Sequence, residues 1–341
     1  MIISSPGSPQ SHQESKRCLY LDLLRIVAIF GVILLHLSMD TDRWYLPMIY
    51  DGLTRWSVPV FVMISGSIFL NPRKELTVSL ILRKYVRRLL LAYLFWWLFY
   101  CLFKFVRAGM ITHSWALADL PLSPQYHLWF LPMLACVYLL IPVLKKIAAD
   151  RALLRYVLIL WLVCLTIDFV TIRDVPQISH LLRLGQVAGY AGYFLLGYFL
   201  SSASLAHRQR LVIYSLGIAG ALASVAGGSV LYYLRGSAYT RFLANVTPHV
   251  VMMSAALFVF FRQHAPRMEH RLAGFMRYVQ KDLFGIYLVH LLWIIVLDYS
   301  FAWYMRCHVV TLPLLSVAVF VLSLFTVKLL RRVPFLSRIV E

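Results

Sequence analysis

Apolar stretches of about 20 residues recur along the chain, separated by polar or charged segments. About 20 such residues is the length an α-helix needs to cross the hydrocarbon core of a bilayer. The pattern predicts ten membrane helices, at approximately 19–38, 54–70, 88–106, 127–146, 153–171, 184–201, 211–233, 243–261, 283–300 and 309–329. Pro or charged residues mark most boundaries, and no internal repeat stands out. The expectation is an all-α, polytopic integral membrane protein whose single transmembrane domain occupies residues 18–341. Residues 1–17 are polar, with Ser, Pro, Gln and His, and predict a disordered tail. The apolar run after Lys16 and Arg17 is too long for a signal-peptide core, and no small-residue cleavage site follows it, which predicts a retained helix.

Ten crossings put both ends on one side, and the basic residues indicate which. The tail, residues 71–88, 145–155, 207–210, 262–282 and the segment after 327 carry 23 of the 33 Lys and Arg residues. The opposite connections carry 9, and Arg25 lies inside a span. Short cytoplasmic segments are enriched in Lys and Arg, so both termini are expected in the cytoplasm.

Composition sharpens this picture. The chain is 61% hydrophobic and 14% charged, whereas soluble domains run nearer half and a quarter. A net charge of +19 on a soluble protein would suggest a nucleic-acid partner. Here the cations lie between apolar stretches, where they serve topology, and no nucleic acid is expected. Contact of cation clusters with anionic lipid or a phosphorylated ligand is the other use open to them. Five cysteines are scattered without CxxC spacing, so neither a disulfide framework nor a metal site is expected. The sequence has no GxSxG, Walker loop, HExxH or GxGxxG, which argues against a hydrolase, an ATPase, a zincin or a dinucleotide enzyme.

The first span, "DLLRIVAIFGVILLHLS" (22–38), carries Asp22, Arg25 and His36. Eleven residues separate Arg25 from His36, and eleven steps of a 3.6-residue helix return to within about 20° of the start, roughly 16 Å further along. The two share a face, Arg25 toward the cytoplasm and His36 toward the outer end, with Asp22 one turn before Arg25. A charge inside a span costs at least ~2.5 kcal/mol on insertion scales, so such groups face a protein interior or a hydrated cavity. Two readings stay open at this point. Asp22 and Arg25 could merely lock helices together, with His36 a satisfied interfacial residue; or the stripe could mark a polar channel.

Arg followed by ten residues and then His in a first span resembles the acyltransferase-3 family of bacterial membrane O-acyltransferases. "SVPVFVMISGSIFL" (57–70), with Ser65 and Gly66, is similar to the family's second span, and "RKYVRRLLLAYLFW" (83–96) to the arginine-containing start of its third. "YHLWFLPMLACVYLLIPVL" (126–144) and the Ile-Tyr-x-x-His element in "FGIYLVH" (284–290) resemble later parts. These segments look most like the short form typified by the enterobacterial common antigen O-acetyltransferases.

The resemblance implies transfer of an acyl group, usually acetyl, from cytoplasmic acyl-CoA to a carbohydrate hydroxyl at the outer face of a bacterial cytoplasmic membrane. Acyl-CoA is then a co-substrate, no cofactor is permanently bound, and membrane lipids are the surrounding partners. With no extracytoplasmic hydrolase-like domain in the sequence, transfer is expected to be direct or to use a separate partner. The resemblance makes His36 the general base, a role its pKa near neutrality suits. Donor binding falls to Arg25 and to Arg83, Arg87 and Arg88, since a guanidinium recognises phosphate with a planar fork. Lys84 and Tyr85 interrupt that basic run, which leaves open which arginine inherits the role. Asp22, Ser65 and His290 are expected to support the site, His290 equally well as a helix-packing residue. Tyr126, His127 and Trp129 suit an acceptor platform, or an interfacial aromatic belt. The rival from another class is a glycan transporter or flippase using the same intramembrane path.

Overall fold

The computed structural model describes residues 9–39, 44–112, 127–171, 182–235, 242–301 and 309–340. Among the described residues every regular element is helical: α1 (Pro9–Met39), α2 (Tyr45–Thr54), α3 (Ser57–Phe69), the short turn α4 (Val78–Leu80), a π-helical segment (Ile81–Val86), α5 (Arg87–Thr112), α6 (Phe130–Leu139), α7 (Ile141–Ala149), α8 (Arg151–Thr171), α9 (Leu182–Ser202), α10 (His207–Arg235), α11 (Pro248–Val279), α12 (Leu283–Phe301), α13 (Thr311–Leu330) and α14 (Pro334–Val340). Six helical stretches among the described residues are long and apolar enough to cross a membrane, or up to eight when each of two bent pairs counts as one span. Two further predicted spans, 184–201 and 243–261, coincide with α9 and the first half of α11. Helix α1 begins at Pro9, so its backbone includes part of the expected polar tail.

Helix α1 is the centre of the bundle. It packs against α2, α3, α11, α12 and α13, and Leu24, Ile29, Ile33 and Leu37 are fully buried. Apart from the Asp22, Arg25 and His36 stripe its span is apolar all round, and such a helix is stable where neighbours cover its faces. Helices α5 and α8 instead turn rows of leucine, isoleucine and valine outward, among them Leu94, Leu98 and Leu102, then Ile159, Val163 and Val170. On a water-soluble surface such rows would aggregate; in a bilayer they meet lipid.

Helices α3 and α9 cross closely because each offers a glycine to the other. A Cβ on Gly66 would lie 1.8 Å from the Phe194 carbonyl oxygen, and one on Gly197 2.0 Å from that of Met63. Small residues let membrane helices approach to backbone contact, where van der Waals packing replaces the missing hydrophobic drive.

Three features depart from the apolar pattern for identifiable reasons. The second span begins at Tyr45, well before residue 54. Asp51 and Arg55, which make that stretch look like a loop, neutralise each other as an i,i+4 ion pair inside it. The stretch 127–146 is broken into α6 and α7 with a 57° bend, since Pro142 has no N–H for the Tyr138 carbonyl and its ring crowds that oxygen. The charged segment 262–282, expected as a cytoplasmic connection, is mostly helix, because α11 runs on to Val279. At 32 residues it is roughly 48 Å long, more than the ~30 Å apolar core, so its charged end needs no apolar surroundings.

The bend of 71° between α11 and α12 is clamped. Asp282 is fully buried there, its Oδ1 accepting from Arg331 Nη1 at 2.6 Å and its Oδ2 from Lys328 Nζ at 2.9 Å. This fixes the start of α12, whose next turns enter the site.

Candidate active site

A cavity of about 340 Å³ opens among α1, α3, α5, α6 and α12. Arg25 and Ile29 form one wall, and Ser65, Phe69, Tyr85, Arg88 and Tyr138 contribute to the others. Most of the lining is apolar, with polar groups at only a few points. Arg25 carries Asp22 as its ion-pair partner one turn below. Ser65 donates to the Phe61 carbonyl at 3.1 Å and accepts from the Tyr138 hydroxyl at 3.3 Å. Of the three arginines proposed for the donor, Arg88 lines the cavity and sits over the Phe284 ring at 5.3 Å. Arg83 and Arg87 are exposed and contribute nothing to the lining.

The π-helical segment explains this selection. It spans Ile81–Val86, the stretch where Lys84 and Tyr85 interrupt the basic run. The wider turn brings Tyr85 into the cavity wall, edge-on to Phe69 at 4.8 Å. Single π-turns of this kind commonly occur at functional sites.

Further cations gather beside the cavity. Lys74 places its ammonium 4.0 Å from the Phe69 ring centroid, and Lys145 donates to the Lys74 carbonyl. Burial, and then the charges of Lys84 and Lys145 alongside, push the Lys74 ammonium below the ordinary lysine range. Crowded cations of this kind are relieved by an anion. Sequence reasoning gave Lys145 no role, since it lies far along the chain from the basic run.

The opposite end of the cavity is closed by Phe61, Phe130 and Tyr287, with ring centroids 5.6 to 6.5 Å apart. Beyond these rings, three histidines meet. His36 of α1 lies 5.4 Å from His290 of α12 and 6.5 Å from His127, centroid to centroid, and His127 lies 5.1 Å from His290. His127 precedes Phe130 by three residues and His290 follows Tyr287 by three, so each imidazole stands about one helical turn past an aromatic ring of the cavity wall.

Backbone carbonyls orient two of these imidazoles. His290 Nδ1 lies 2.6 Å from the Tyr287 carbonyl, and His127 Nε2 lies 3.4 Å from that of Leu288. A carbonyl only accepts, so each of these nitrogens carries a proton directed at it. The other ring nitrogens, His290 Nε2 and His127 Nδ1, are buried and have no hydrogen-bond partner among the described residues. Tyr287 donates to the His127 carbonyl, and Tyr100 to the Leu288 carbonyl at 2.7 Å, which holds the cluster in place. The sequence assigns Tyr287 no role of its own, although it is the tyrosine of the Ile-Tyr-x-x-His element.

The remaining expected residues are less central. Trp129 stands 5.9 Å from Tyr190, centroid to centroid, and Tyr126 lies outside the described residues. His249 bonds locally to the Phe242 carbonyl and Thr247 and takes no part in the cluster. Among the described residues no group of three or more His, Cys, Asp or Glu is placed to hold a metal ion.

The arrangement joins an apolar cavity flanked by cations to a cluster of three imidazoles, of which His127 and His290 are buried. No curated protein and no solved structure matches the chain. The acyltransferase domain family matches residues 19–332, nearly the whole chain. A helical, membrane-spanning protein with that match over that length belongs to the acyltransferase-3 family.

Proposed function

We propose that this membrane acyltransferase moves an acetyl or other acyl group from cytoplasmic acyl-CoA to a hydroxyl of a surface polysaccharide or its lipid-linked precursor. His36 acts as general base. The observation that carries the proposal is the cavity holding Arg25 and Arg88, whose aromatic wall lies one helical turn from His127 and His290, the two imidazoles that meet His36. The apolar lumen suits the acyl and pantetheine arm of the donor, while Arg88, Lys74, Lys84 and Lys145 suit its phosphates. In the transfer, His36 takes the hydroxyl proton, the oxygen adds to the thioester carbonyl, and the tetrahedral intermediate collapses to ester and thiolate. The proton returns from His36 to the thiolate, leaving the enzyme unchanged. His290 and His127 stand against His36 and hold its imidazole in place.

Ten spans with both termini cytoplasmic, in a bacterial inner membrane, are part of the same proposal. So is kinship with the common antigen O-acetyltransferase type, supported by the motifs of residues 22–145 and 284–290. The test uses purified protein in lipid nanodiscs with acetyl-labelled CoA and a deacylated glycan acceptor. Label is expected on the glycan with the wild type and absent with His36→Ala. Full transfer by that variant would overturn the assignment of the base. Glycan movement across a vesicle bilayer without thioester consumption would overturn the enzyme reading in favour of a transporter.

A further inference from the structure

The cavity has a definite length. Phe61, Ile64, Ser65, Ile68 and Phe69 of α3 line it, and their spacing of three and four residues makes them one face of the helix. From Phe69, beside the Lys74 ammonium, this face runs to Phe61, a length of about 12 Å. The pantetheine arm of an acyl-CoA is three amide-linked units, each at least as long as an amino-acid residue of about 3.5 Å. An extended arm that starts at the cations therefore uses up the lumen, and its sulfur arrives at the Phe61 ring.

Beyond that ring the side chains are closely packed. Phe61, Phe130 and Tyr287 form a triangle with centroids 5.6 to 6.5 Å apart. Tyr287 lies 5.7 Å from His127 and 5.9 Å from His290, centroid to centroid. Rings at these separations are in contact, so an acyl group entering here has to displace one. The three wall rings differ in freedom. Tyr287 is 5% exposed and its hydroxyl donates to the His127 carbonyl, and Phe130 is 7% exposed. Phe61 is only half-buried and borders the lumen. It has the most room to turn aside, and one phenyl ring turning aside makes room for only a few carbon atoms.

We infer that Phe61, backed by Phe130 and Tyr287, sets the length of the acyl chain this protein accepts and holds it to short groups such as acetyl and propionyl. The inference rests on the proposed acyl-CoA donor, but chain length can be read from binding alone, with no acceptor and no transfer. The probes are the non-cleavable thioethers S-ethyl-CoA and S-butyl-CoA, titrated calorimetrically into the full chain in nanodiscs, with empty nanodiscs as the blank. The wild type is expected to bind S-butyl-CoA about tenfold more weakly than S-ethyl-CoA, because the added methylenes overpack the ring cluster. Phe61→Ala is expected to reverse the order by about tenfold, since each methylene that gains apolar space adds about fourfold in affinity. Phe61→Leu, expected to fall between the two, carries the test if Phe61→Ala does not fold. Tighter binding of S-butyl-CoA by the wild type, an unchanged ratio in the folded variants, or no binding of either thioether would overturn the inference. Equal binding of both thioethers with label transfer intact would overturn the length limit and leave the acyltransferase reading standing. The expected binding pattern together with no label transfer would instead sink the reaction and leave the length limit in place.

Discussion

Asp282 is where the bundle and the site are most plainly coupled, and replacing it by Asn gives a measurable consequence. The carboxylate is 0% exposed, while Lys328 and Arg331 keep 30% and 27% of their side chains accessible. Hydrogen bonds to charged groups contribute about 1.5–3 kcal/mol each. Partial exposure of both cations reduces that figure, since they can turn to water or headgroups when released. Asp282→Asn should therefore cost about 2 kcal/mol, some thirtyfold in the folding equilibrium. Neutralising either cation alone leaves the carboxylate paired with the other and should cost about 1 kcal/mol. Neutralising both strands a buried charge, which costs about 3–5 kcal/mol. Adding Asp282→Asn to that double variant should then recover stability. Unfolding in nanodiscs, followed by denaturant titration for the wild type and all five variants, reads the order directly. Because Leu283, Phe284 and Tyr287 follow Asp282 into the cavity wall, the Asn variant should also lose donor affinity. Stability unchanged in Asp282→Asn, or a double cation variant more stable than either single one, would refute the clamp.

Other perturbations separate the groups that sit at the site from those that are merely near it in sequence. Arg88→Gln should weaken acyl-CoA binding about tenfold or more, the loss of one charge-assisted contact, while Arg83→Gln should change it less than twofold; equal effects in a calorimetric titration would reject the cavity as the donor site. Gly66→Ala should prevent the close crossing of α3 and α9 and lower the unfolding temperature sharply. Gly274→Ala, where a Cβ meets nothing within 4 Å, should be neutral or stabilising by up to ~1 kcal/mol; similar responses at both positions would contradict the packing account.

How far the sequence discloses this molecule differs from residue to residue. Length and hydropathy suffice for α1, α5, α8 and α13, because an uninterrupted apolar run has few places to go other than lipid or a bundle interior. They mislead at Asp51 and Arg55, where two charges four residues apart cancel inside a helix. They say little about residues 262–279, a charged stretch that nevertheless continues α11 as helix. The shared face of Arg25 and His36 follows from helical period alone, and the structure places Arg25 in the cavity and His36 in the histidine cluster. What no period conveys is that His127 and His290, more than 90 residues from His36 in the chain, meet it. That depends on the packing of α6 and α12 around α1, a tertiary fact. The choice of Arg88 over Arg83 and Arg87 turns on one π-turn, whose register change a 3.6-residue reading passes over.

The central claim is that donor and acceptor meet at the three histidines, with the donor entering through the Arg25–Arg88 cavity. The most direct measurement is an electron cryo-microscopy map of the protein with a non-cleavable thioether analogue of acyl-CoA. The account predicts phosphate density at Arg88, Lys74 and Lys145, the pantetheine arm along Ser65 and Tyr138, and the acyl end past displaced Phe61 and Tyr287 rings, within about 3.5 Å of His36. Analogue density elsewhere on the protein, with this cavity empty and its aromatic wall closed, would contradict it.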